Sequence, residues 1–142
     1  MIELISGKRT LRISAFEREN TPDVPAYDWI NSYIEFILPE LKTQYTTAFN
    51  VGELTELKKQ INSLYLALLN GDKHENIIFD SAENQLNIRF IKMDDDENVA
   101  VDITLRPENP ADSVIVKDTF GIDQSYFPAF MSGLDEMINW PE

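Results

Sequence analysis

A chain of 142 residues has the length of one domain and is too short for two ordinary ones. Its 12 Lys and Arg against 25 Asp and Glu leave a net charge of −13, which disfavours nucleic acid and anionic membrane surfaces; a basic partner is the natural complement, although acidity for solubility alone gives the same balance. With no cysteine, disulfides, thiolate nucleophiles and Cys-type zinc sites are excluded.

Hydrophobic residues make up 43% of the chain and aromatics 11%, enough to offset the entropy of ordering. The N-terminus has no apolar core behind a basic start, and no apolar stretch approaches the roughly 20 residues of a membrane span. The cytoplasm is therefore the expected compartment.

In chain order, residues 2–5 and 10–18 read as two strands joined by the turn Ser6-Gly7-Lys8, with Leu11, Ile13 and Ala15 alternating to one face. A polar stretch over 20–26, with Pro22 and Pro25, breaks the pattern. A strand then opens at Trp29, its Ile30, Ile34 and Phe36 at period two, interrupted by Ser32 and ended by Pro39. Residues 42–50, rich in Thr and aromatics, predict a fourth strand.

The clearest helix follows, with Leu54, Leu57, Ile61, Leu64 and Leu68 at steps of three and four. Asn50 and Glu53 form a capping-box pattern, and Asn70-Gly71 supplies the stop. The order then repeats. Strands are predicted at 76–80, 86–92, 98–106 and 113–120, and a closing helix carries Phe127, Phe130, Leu134 and Met137 as its buried stripe, with Ser125 as cap and Pro128 in the first turn.

Laid over each other, the halves 1–71 and 72–142 match in more than order. Leu11-Arg12-Ile13 falls on Leu86-Asn87-Ile88, Ile34-Glu35-Phe36 on Val101-Asp102-Ile103, Phe49 on Phe120, and Leu57, Ile61 and Leu64 on Phe130, Leu134 and Met137. Two copies of a unit of four strands and a helix explain this, and so does chance, since period-two patterns coincide half the time. The expectation is one α+β domain over 1–142, built of antiparallel sheets and two helices.

Few constellations carry chemistry. The run Asp94, Asp95, Asp96 and Glu97 lacks the alternate ligands, glycine and distant Glu of a calcium loop, which leaves a solvated hairpin tip or a contact for a basic partner. His74, the one histidine, stands in a polar connector with no second histidine or cysteine to join it. Neither a dinucleotide fingerprint nor a phosphate-cradling loop is present, and the basic residues are scattered singly. Asp28-Trp29 opens a strand beside an acidic connector that includes Asp23; the ring is either core or an interface anchor.

The order of features resembles the WapI-type immunity proteins, related to the one that protects bacteria against a wall-associated toxin. The resemblance runs from Ser6-Gly7 and Leu11-Arg12-Ile13 through Tyr27-Asp28-Trp29-Ile30, Phe49, Glu53-Leu54 and Glu83. It ends on Ile122-Asp123-Gln124-Ser125-Tyr126-Phe127 and Leu134-Asp135-Glu136-Met137-Ile138. It implies a non-enzymatic inhibitor that binds and neutralises a toxin domain, often a nuclease, encoded beside it.

The leading expectation is thus a toxin-binding protein without cofactor, metal or catalytic residue, its interface made of Asp23, Asp28, Trp29, Asp94, Asp95, Asp96 and Glu97. Two alternatives stand beside it. One is a small-molecule-binding or hydrolytic domain with a carboxylate-lined cavity between two sheets; the other is an adaptor module.

Overall fold

In the computed structural model, which describes residues 1–93, 97–108 and 114–142, Gly7 takes a left-handed φ of 59° and turns β1 (Ile2–Ser6) back into β2 (Arg9–Glu19). β3 (Trp29–Leu38) and β4 (Leu41–Asn50) complete a four-stranded antiparallel sheet in the order β1-β2-β3-β4. α1 (Val51–Asn70) follows. Its capping box is formed, Asn50 accepting from the Glu53 amide and Glu53 from the Asn50 amide, and Gly71 closes it at φ 69°.

The second half repeats the plan. β5 (Ile77–Asp80), β6 (Leu86–Lys92), β7 (Val99–Leu105) and β8 (Val116–Ile122) form a second antiparallel sheet in sequence order, and α2 (Phe127–Ile138) closes the chain. The architecture is the expected α+β arrangement of two sheets and two helices, and the two-unit repeat fits it. Positions that coincide between the halves, such as Phe49 and Phe120, or Ile61 and Leu134, are buried in both.

Most strand ends move by a residue or so from the expected ranges, and two differences have a visible cause. β8 runs on to Ile122 because Gly121 and Ile122 still pair with Ala100 and Val99. Ser125 does not cap α2, whose N-cap position is Tyr126 without a side-chain bond; instead the Asp123 carboxylate accepts from the Ser125 amide and caps a short 3₁₀ turn, Gln124–Tyr126, ahead of the helix. Ser32, which interrupts the apolar face of β3, lies fully buried there and donates to the Ile30 carbonyl at 3.1 Å.

Alternation along every strand sends one set of side chains inward, and these join the buried faces of both helices in one apolar core. Phe130 of α2 meets Phe90 of β6 edge-on, with ring centroids 5.8 Å apart, while Phe49 of β4 lies 6.0 Å from Phe79 of β5. The gap among Phe49, Phe79, Ile88, Phe130 and Leu134 amounts to about 10 Å³ and is apolar throughout. A single water needs about that much, so the space between the sheets holds no carboxylate-lined ligand cavity among the described residues.

Polar ties join the halves at their seams. Ser6 donates to the Gly121 carbonyl at 2.9 Å, Tyr126 to the Ile5 carbonyl at 2.7 Å, and Tyr45 to the Gln85 carbonyl at 2.6 Å. Burial pushes the Tyr45 phenol well up from its ordinary value, so it remains a donor. The Glu53 carboxylate reaches across as well, accepting from the Ala82 amide at 2.9 Å.

α2 crosses β1 at Gly133, where a Cβ stands 2.7 Å from the Met1 carbonyl and 2.9 Å from an Ile2 side-chain carbon. Backbone on one side and core on the other leave no room to relax. Gly133→Ala is expected to cost about 1–3 kcal/mol of stability by overpacking, seen as a lower denaturation midpoint at unchanged slope. No helix among the described residues is long and apolar enough to cross a membrane.

Candidate partner-binding face

The residues that alternate away from the core of the first sheet make its outer face. On β3 these are Trp29, Asn31, Tyr33, Glu35 and Ile37, since Ile30, Ser32, Ile34 and Phe36 point inward. Tyr33 lies across from Ser14, and a β-bulge between Ala15 and Glu17 then shifts the register of β2 against β3 so that Asn31 lies across from Glu17. At this bulge Phe16 turns outward and packs against Tyr33, ring centroids 4.4 Å apart and planes tilted by 33°.

This ring pair faces solvent, Phe16 42% and Tyr33 47% exposed. Carboxylates flank it on both sides along the strands. On one side Asn31 donates to Glu17 at 2.6 Å and to Glu19 at 3.1 Å, which holds both carboxylates in place. On the other, Arg12 stands between Glu3 and Glu35 at 2.6 and 2.9 Å, and the two hydrogen bonds raise the already high pKa of the guanidinium.

The face thus offers two aromatic anchors in a setting where four acids outnumber one fixed cation. Such a surface suits a partner that is apolar at its centre and basic at its rim.

Trp29 opens β3 on this same face, half-buried, about 13 Å along the strand from Tyr33. Its ring is neither wholly core nor a free anchor. Asp23 is exposed in the connector and takes a left-handed φ of 66°, a conformation that Asp tolerates better than most residues.

Asp28 is 4% exposed and turned inward: Arg18 of β2 donates to it twice, at 2.8 and 3.0 Å, and the Thr21 amide at 2.6 Å. Those bonds, the Thr21 amide first, hold its carboxyl below the usual range against the opposing effect of burial. Its place is beneath the connector, not on the surface. Asp94, Asp95 and Asp96 lie outside the described residues; Glu97 is exposed just ahead of β7, on the other half of the molecule.

The sequence reading missed Phe16, Tyr33, Glu17, Glu19 and Glu35. A signal was available, because two aromatics stand at the polar positions of otherwise alternating strands. Their meeting, however, depends on how β2 pairs with β3. His74 sits in the connector after α1 with both ring nitrogens engaged, to Glu75 O at 2.6 Å and Ser63 Oγ at 3.1 Å. Among the described residues no three His, Asp or Glu side chains gather to hold a metal ion.

The model of a family described as "Immunity protein WapI-like family" matches residues 1–142, the whole chain. Among solved structures, the crystal structure of WHY1 from Arabidopsis thaliana is similar at 13% identity and a TM-score of 0.49, covering 97% of this chain and 90% of that one. Comparison with curated proteins gives no match.

Proposed function

The chain belongs to the WapI-like immunity protein family, and on that premise we propose that it neutralises a cognate bacterial toxin domain by covering the toxin's basic surface with the outer face of the first sheet. The stacked, solvent-facing pair of Phe16 and Tyr33 among carboxylates is the observation that supports this choice of face. Trp29 and Asp23 extend the contact along the connector end of the sheet. Asp28 serves it from below by anchoring that connector, and the acidic run at 94–97 is a second contact on the other half.

No reaction is assigned to the chain in this reading. Inhibition is steric and electrostatic, and it takes place in the cytoplasm. A nuclease is the toxin class that suits it, because a surface built to hold nucleic acid is basic, and a chain of net charge −13 meets it with fast, steered association. Salt therefore acts on the rate of association more than on the rate of dissociation.

The test is to mix the protein with the product of the adjacent toxin-like gene, by co-elution and by protection of growth. The expected result is a one-to-one complex whose association slows at least tenfold between about 50 and 500 mM salt. No complex and no protection would end the proposal.

A further inference from the structure

The outer face of the second sheet is unlike that of the first. Alternation along β6, β7 and β8 turns Asn87, Arg89, Asp102, Thr104, Lys117 and Thr119 outward, and they line a groove of about 760 Å³. That volume is in the range of small-ligand sites. Its floor consists of the two central strands of the sheet, so the groove is preorganised.

Its charges are unequally engaged. The three carboxylates at the groove all have donors: Asp80 accepts from Asn87 at 2.7 Å, Asp102 from Thr119 at 2.8 Å, and Asp118 from Arg9 at 2.6 Å. Of the three cations, Arg106 donates to Asn87, whereas Arg89 and Lys117 form no hydrogen bond or ion pair among the described residues. Arg89 stands opposite Asp102 in the ladder, and Lys117 opposite Thr104 on the neighbouring row. The two free cations thus flank the middle strand from opposite sides, roughly 12 Å apart at their Cα atoms and within side-chain reach of one point.

With Asp118 paired to Arg9, the groove sets three cations, Arg89, Arg106 and Lys117, against two carboxylates, Asp80 and Asp102, so a chain of net charge −13 carries a local excess of positive charge here and leaves two cationic donors open to an oxyanion. We propose that this groove binds a small organic oxyanion, a carboxylate or a phosphate monoester, clamped between the Arg89 guanidinium and the Lys117 ammonium, with Thr104 as a further donor. Arg89 supplies a planar fork for two oxygens, and Lys117 a point charge. Among the described residues no aromatic side chain lines the groove to stack a base, and the net charge repels a long polyanion, so a nucleic acid strand is not the occupant. This site lies on the other sheet from the toxin-binding face and stands or falls separately from it.

The experiment is an NMR titration of the ¹⁵N-labelled full chain with succinate, inorganic phosphate and glucose 6-phosphate, at constant ionic strength. Saturable shifts confined to β6–β8, with a dissociation constant at or below about 1 mM for at least one probe, are expected. Tighter binding of succinate or of the phosphate ester tells which oxyanion the groove prefers.

Arg89→Gln and Lys117→Gln are both exposed substitutions and should each weaken binding about tenfold or more, while Lys59→Gln, an exposed cation on α1, leaves it unchanged. Shifts that do not saturate, or that survive both groove substitutions, overturn the proposal. So does binding seen only with an acidic peptide, which would make the groove a protein contact.

Discussion

Alanine at both Phe16 and Tyr33 is expected to weaken binding of the toxin domain about 100-fold or more while the protein remains folded. The two rings are the most exposed aromatic side chains on the strands of the proposed face, and each already rests on the other, so little side-chain entropy is lost when a partner covers them. Interface anchors of this kind cost about 2 kcal/mol or more each when truncated, and the pair is coupled, so the double variant is the cleaner measurement.

The loss should appear in the dissociation rate. Glu17→Gln and Glu35→Gln, by contrast, should slow association and flatten its salt dependence. In the free protein about half of each ring already faces water, so the melting temperature should move by only a few degrees. Unchanged affinity in the folded double variant would place the toxin on another face. The immunity function would then remain, with its contact moved.

The strands were readable because burial on a single face writes period two into the sequence, and the first helix because Asn50, Glu53 and Gly71 punctuate an unbroken stripe. The second helix was readable in its stripe but not at its start. Asp123 and Ser125 are both good caps, and only the backbone of the 3₁₀ turn decides which of them accepts.

The site was harder to read for a related reason. Composition announces an acidic surface, but not which acids stay on it. Asp28 looked like a surface charge until Arg18, ten residues earlier on the neighbouring strand, was seen to reach it. Phe16 and Tyr33 each read as isolated outward aromatics, and the pairing of β2 with β3 makes them a pair. The groove on the second sheet follows the same logic. Arg89, Asp102 and Lys117 are scattered singly along the chain and meet only through the register of β6, β7 and β8.

Arg18→Ala should be the most damaging change to an ionic contact in the protein, lowering the melting temperature by roughly 10 °C at neutral pH. The substitution leaves the Asp28 carboxylate, 4% exposed, facing an empty space. It also removes donors from the Ile138 and Trp140 carbonyls, which Arg18 holds at 2.9 and 3.1 Å. One guanidinium therefore ties β2, the connector and the C-terminal end together.

The pH dependence separates these contributions. A carboxyl whose pKa is lowered by folding stabilises the protein above its unfolded value of about 3.9, and that stability is lost as pH falls through the lower, folded value. The difference in melting temperature between the parent protein and Arg18→Ala should accordingly narrow as pH is taken from 7 to about 2. The Thr21 amide keeps part of the effect in the variant, so the narrowing is partial. A gap that stays constant over that range would assign the whole loss to the C-terminal carbonyls. Because the same latch holds the connector that bears Asp23 and leads into Trp29, Arg18→Ala should also weaken toxin binding, whereas Gly133→Ala, which meets Met1 and Ile2 rather than the connector, should lower stability alone.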